Sequence, residues 1–124
     1  MRILVIDDNG PLRRVAVRIL SGAGFEVLEA PDGASGLRLW RERGADVLLT
    51  DLHIGVPNGI EVVQDIRADA PALPVVIMSG SMVGDDNLVR AQELLGTVGL
   101  LEKPFRTVDL LAAIAEQTGV PPKE

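Results

Sequence analysis

Hydrophobic positions fall into five short runs separated by longer amphipathic stretches. The runs are Ile3–Ile6, Val27–Leu28, Val47–Leu49, Val75–Met78 and Val98–Leu101, the last with Gly99 inside it. The first and fourth are nearly continuous and rich in β-branched residues, as strands covered on both faces require. The intervening stretches carry helical spacing. Leu12, Val15, Ile19 and Leu20 share one helical face, with Arg13, Arg14 and Arg18 off it. Pro11 suits a first helical turn, and Gly22 or Gly24 an end. Leu37 and Trp40 mark a second helix ending near Gly44, and Ile60, Val63 and Ile66 a third closed by Pro71. Leu88, Ala91 and Leu95 mark a fourth, with Asp85 or Asp86 as cap and Gly96 behind it. Val108, Leu111 and Ala115 mark a fifth.

Strand followed by helix, five times over, predicts an α/β protein with a doubly wound parallel sheet and helices on both faces. Right-handed crossovers leave 2-1-3-4-5 as the leading strand order. At 124 residues the chain suits one domain, expected over 1–118. Residues 119–124, with Pro121 and Pro122, read as a tail or the start of a linker.

Composition then removes whole classes of function. Without cysteine there is no disulfide frame, no thiolate zinc site and no cysteine nucleophile. One histidine cannot build a multi-histidine metal site. A net charge of −6 and 2% aromatics argue against direct nucleic-acid binding and favour a cation or a basic partner. No apolar run approaches ~20 residues, so no membrane span is expected. Met1 leads straight into a strand-like run with no signal-peptide pattern, so a cytoplasmic address is expected. Of the 12 basic residues only Lys103 and Lys123 are lysines. Position 103 therefore hints at a need for a compact ammonium in place of a guanidinium fork.

In open α/β sheets ligands bind outside the carboxyl ends of the strands. Asp7 and Asp8 follow the first run, Asp51 the third, Ser79 the fourth, and Lys103 and Pro104 the fifth. Three carboxylates in one place repel each other, and a hard divalent cation such as Mg²⁺ relieves that. Lys103 suits a phosphoryl oxygen, Ser79 can donate to another, and an aspartate such as Asp51 can form an acyl phosphate. Each residue also has a plainer reading. Asp7 and Asp8 fit a strand-end turn and helix cap, Asp51 and Ser79-Gly80 fit turns, and Lys103-Pro104 fits a loop. Their joint occurrence at strand ends favours the chemical reading.

The chain here resembles the receiver (CheY-like) domains of two-component response regulators. The matching residues are Asp7-Asp8 after Ile3-Leu4-Val5-Ile6, Pro31-Asp32-Gly33, Asp51-Leu52, Gly59, Ser79 and Lys103-Pro104-Phe105. The resemblance implies that Asp51 accepts a phosphoryl group and that Asp8 and Asp51 bind Mg²⁺ directly. Asp7 would act through water, and the His53 backbone carbonyl would complete the protein ligands. Ser79 and Lys103 would grip the phosphoryl group. The implied donor is a phosphohistidine on a sensor histidine kinase or phosphotransfer protein, or a small phosphodonor. Such a domain catalyses its own phosphorylation and dephosphorylation without being a conventional turnover enzyme. Its helix 4–strand 5–helix 5 face is implied as a partner or homodimer surface.

Two positions depart from the family pattern. The usual proline four residues after the acceptor is Gly55, with Pro57 two residues later. The usual aromatic residue three before the lysine is Leu100. The rival readings are a degenerate receiver acting as an interaction module without phosphate, a Mg²⁺ phosphohydrolase, and a flavin protein. The phosphohydrolase lacks an inserted cap domain, and the flavin protein lacks a phosphate loop and stacking aromatics.

Overall fold

The computed structural model describes residues 1–81 and 83–119. The expected tail beyond Gly119, with Lys123, lies outside the described residues. Ten elements alternate: β1 (Arg2–Ile6), α1 (Gly10–Gly22), β2 (Glu26–Ala30), α2 (Gly33–Arg43), β3 (Val47–Asp51), α3 (Gly59–Asp69), β4 (Val75–Ser79), α4 (Asp86–Leu95), β5 (Gly99–Glu102) and α5 (Thr107–Thr118). The strands form one parallel sheet in the order β2-β1-β3-β4-β5, the order expected from the alternation.

Strand alternation divides the core in two. Leu4 and Ile6 of β1 face a cluster with Leu48, Ile77, Ile60, Ile66 and Leu88. Ile3 and Val5 face the other cluster, with Leu49, Met78, Leu20, Leu110 and Ile114. Thus α2, α3 and α4 cover one face, and α1 and α5 the other. Each fully buried Leu or Ile contributes roughly 1.5–3 kcal/mol of transfer free energy. The three central strands are buried along their whole length or all but one residue, which explains their continuous apolar runs.

Two helical faces differ from expectation. In α1 the buried residues are Ala16 and Leu20, while Val15 is 44% exposed. In α5 they are Leu110, Ala113 and Ile114, while Val108 is 62% exposed. The segment from Val108 to Ala115 is apolar at every position but Asp109. A 3.6-residue period cannot choose among faces that are all apolar, so docking on the sheet makes the choice. The α3 and α4 expectations hold: Ile60, Val63 and Ile66, and Leu88, Ala91 and Leu95, are all buried.

Asn58 and Glu61 close a reciprocal capping box at the start of α3. Asp85, not Asp86, caps α4. The cap of α1 is Asn9, so the helix-cap reading of Asp7 and Asp8 is set aside. Asp7 does make the strand-end turn, its Oδ1 accepting from Asn9 N at 3.0 Å.

Candidate functional site

The chain leaves β1 through α1 to the edge strand β2, then crosses back through α2 to β3 on the other side of β1. That reversal opens a crevice above the carboxyl ends of β1 and β3. Asp7 and Asp8 leave β1 there, Asp51 ends β3, and Ser79 ends β4. Lys103 N donates to the Ser79 carbonyl at 2.8 Å, which aligns the end of β5 with that of β4.

The lysine ammonium is the hub. Lys103 Nζ lies 2.9 Å from Asp51 Oδ2 and 3.0 Å from Asp7 Oδ2. Asp7 is fully buried, Asp51 nearly so, and Asp8 is exposed. Oxygens of Asp7, Asp8 and Asp51 all lie within 4.8 Å of one another. Burial raises the Asp51 pKa, Lys103 opposes the rise, and the charge of Asp7 adds to it. For Lys103, burial disfavours the ammonium, but its hydrogen bond to Asp51 and its ion pairs with Asp51 and Asp7 outweigh that and raise its pKa. Arg13 braces the β1 turn from below, Nη1 donating to the Asp7 carbonyl at 2.8 Å and Nε pairing with Glu29 at 2.9 Å.

The donor set fits a hard cation. Asp7 Oδ2 is buried and has no well-formed hydrogen bond, despite the ammonium 3.0 Å away. A buried carboxylate oxygen without a directed donor is poorly satisfied, and a cation meets that need.

Gly59 lies against the backbone of Asp51 and Leu52. A Cβ there would stand 2.6 Å from the Asp51 carbonyl oxygen and 2.9 Å from Leu52 Cα. Only glycine lets α3 begin this close to the end of β3. Gly55 has φ +89°, which the proline ring forbids, so proline could not occupy this position in the observed loop path. Leu100 is half-buried and packs against the cluster containing Leu88, Ala91 and Leu95.

His53 approaches Asp51 only through its backbone, N to Oδ1 at 3.4 Å. Its ring lies 3.1 Å from Asp85 Oδ2. Ser79 Oγ is 2.9 Å from the Ser81 carbonyl and 3.2 Å from the same Asp85 oxygen. The structure thus brings Asp7, Asp8, Asp51 and Lys103 together and places Ser79 beside them with its hydroxyl engaged by its own loop. Asp85 was legible only as a helix cap. No spacing in the sequence announces its contacts with Ser79 and His53. The His53 ring pulls the Asp85 pKa down, burial opposes the fall, and the Ser79 hydroxyl with the Leu88 and Asn87 amides adds to it.

A parallel 2-1-3-4-5 sheet with three aspartates and a lysine gathered at its switch point defines a doubly wound α/β protein. Residues 3–115 match the response regulator receiver domain model, and the chain belongs to that family. The transcriptional regulatory protein PrrA of Mycobacterium tuberculosis is 34% identical over 113 residues, covering 91% of this chain and 48% of its own length. The regulatory protein VirG of Agrobacterium fabrum is 32% identical over 112 residues, covering 90% and 44%. The chain therefore spans about half the length of these relatives. Among solved structures, the receiver domain of NtrX from Brucella abortus superposes with a TM-score of 0.85 at 28% identity, covering 95% of this chain and 98% of that one. The chemotaxis protein CheY4 of Vibrio cholerae does so at 0.85 and 25% identity, covering 94% and 97%. Among the described residues no helix is long and apolar enough to cross a membrane.

Proposed function

We propose that this receiver domain takes a phosphoryl group onto Asp51 from a phosphohistidine of a sensor histidine kinase or phosphotransfer protein. The observation that carries the reading is Lys103 Nζ held between Asp7 and Asp51, beside Asp8, at the ends of three strands. An Asp51 oxygen attacks phosphorus as the phosphorus–nitrogen bond to the donor breaks, leaving an acyl phosphate and the donor imidazole. Water later attacks the same phosphorus and returns the carboxylate. Lys103 neutralises charge on the transferring group, and Ser79 donates to a second phosphoryl oxygen. Asp8 and Asp51 would hold Mg²⁺ directly, Asp7 through water, and the His53 carbonyl would complete the set. The metal supplies charge neutralisation for an in-line displacement.

The added phosphoryl charge biases the α4–β5–α5 face, which serves a partner or a second copy of the chain. Leu100 repacks there in place of an aromatic residue. This domain makes no nucleic-acid contact of its own in this reading, and its setting is the cytoplasm.

Intact mass after incubation with Mg²⁺ and acetyl phosphate tests the reading, beside Asp51→Asn and a chelator. One added phosphoryl group, lost in both controls, is expected. No gain, together with no beryllofluoride binding, would sink the reading and leave an interaction module that ignores phosphate.

A further inference from the structure

The Ser79 hydroxyl is committed away from Asp51. Ser79 is 1% exposed, and its single proton has two acceptors in reach, the Ser81 carbonyl at 2.9 Å and Asp85 Oδ2 at 3.2 Å. Its oxygen accepts from Ser81 N at 3.3 Å. It makes no hydrogen bond to Asp51 or Lys103 among the described residues.

Asp85 carries two separate tasks. Oδ1 accepts from Asn87 N at 3.0 Å and Leu88 N at 3.3 Å, which caps α4. Oδ2 faces Ser79 and the His53 ring. The side chain is only 13% exposed, so little water competes for these contacts. One carboxylate joins the end of β4, the loop after the acceptor and the first turn of α4. A cap needs one oxygen, which serine or asparagine supplies as well as aspartate. Capping therefore leaves the second oxygen unexplained.

We infer that Asp85 is a latch: in the unphosphorylated domain it holds the Ser79 hydroxyl away from Asp51 and ties that hydroxyl to the start of α4. The latch rests on the phosphoacceptor reading above. Ser79 cannot give one proton to Asp85 and to a phosphoryl oxygen at once. When Asp51 is phosphorylated, the proton goes to the phosphoryl group, a strong charge-assisted acceptor. Asp85 Oδ2 then loses that donor, and the α4 N-terminus loses its tie to β4. Two discrete arrangements of one hydroxyl thereby bias a helix on the output face. The route needs no aromatic side chain at position 100.

Asp85→Ser keeps one capping oxygen and removes the second. The affinity for beryllofluoride with Mg²⁺ is measured for the wild type, Asp85→Ser, Ser79→Ala and the double variant. Releasing the latch is expected to tighten binding roughly tenfold, the worth of one hydrogen bond to a charged group. In the Ser79→Ala background the same substitution is expected to change nothing. Lower thermal stability with unchanged affinity would mean that Asp85 only caps α4, and would overturn the latch. Should Asp85→Ser not fold, the wild-type amide resonances of Asn87 and Leu88 decide: they are expected to move on beryllofluoride addition, and unmoved resonances overturn the latch. Failure of the wild type to bind beryllofluoride at all overturns the phosphoacceptor reading and the latch together. Wild-type binding with no effect of the variant removes the latch alone.

Discussion

Two loops leave neighbouring central strands and both border the site, yet they are anchored by opposite means. The β3–α3 loop is held by burial and close backbone contact. Leu52 and Ile54 are 2% and 6% exposed, Gly59 abuts the Asp51 carbonyl, and the Asn58–Glu61 box closes the far end. The β4–α4 loop is held by polar side chains, namely Ser79, Ser81 and Asp85. Both have exposed valines, Val56 at 93% and Val83 at 88%, so exposure does not separate them. The anchors do. Displacing a buried apolar side chain leaves a hole, whereas a hydrogen bond can change partner for about 1 kcal/mol net. In the proposed phosphoacceptor reading, Asp51 needs a fixed place for in-line attack, whereas Ser79 needs two places.

The largest test of this contrast removes the ion that joins the ends of β5 and β3. Lys103→Met leaves the buried Asp7 and Asp51 unpaired, and a loss of about 3 kcal/mol or more is expected from urea unfolding of the metal-free protein. A loss below about 1 kcal/mol would show the carboxylates to be well solvated without it.

Gly59→Ala strikes the steric anchor. The new methyl meets backbone atoms of Asp51 and Leu52, which cannot swing aside as a flexible side chain can. About 1–3 kcal/mol of destabilisation is expected, with slower phosphorylation by acetyl phosphate in intact-mass time courses. Unchanged stability and rate would remove the case for a rigid acceptor loop.

Asp51→Asn changes the sign. The folded-state pKa of Asp51 is raised, chiefly by burial, so ionising this carboxyl opposes folding. That penalty is absent below the unfolded-state value near 3.8, grows as pH rises through the raised folded value, and is constant above it. At pH 7 without metal, Asp51→Asn is expected to be more stable than the wild type by about 1 kcal/mol, the low end for neutralising a buried ionic group. The gain should vanish as pH falls below the ordinary aspartate range. Thermal melts against pH check this, and a variant less stable than the wild type at pH 7 would contradict it.

The smallest effect belongs to the exposed tip of the polar loop. Val83→Ser is expected to move stability by less than about 0.5 kcal/mol and to leave the phosphorylation rate unchanged. A large loss of stability would mean that Val83 packs in solution.

The comparison also marks where sequence reasoning reaches. The strands, their parallel order and the meeting of Asp7, Asp8, Asp51 and Lys103 were legible because each depends on a local pattern plus one topological rule. Alternating strands and helices force the sheet, and strand ends follow from where apolar runs stop. Gly59 was legible as a motif residue, but its reason, a missing Cβ against the Asp51 and Leu52 backbone, was not.

What the sequence alone determined was therefore the order of elements and the chemical kinds gathered at one edge. Tertiary structure alone decided which face of α5 is buried, because its nearly continuous apolar or small residues give periodicity no preference. It decided that Asp7 Oδ2 is sealed from water without a directed donor. It also decided that Asp85 turns its second oxygen to Ser79 and His53. Those contacts join residues on three different elements, and their geometry depends on how loops cross a twisted sheet. Composition and periodicity describe one segment at a time, so they carry no record of such a meeting.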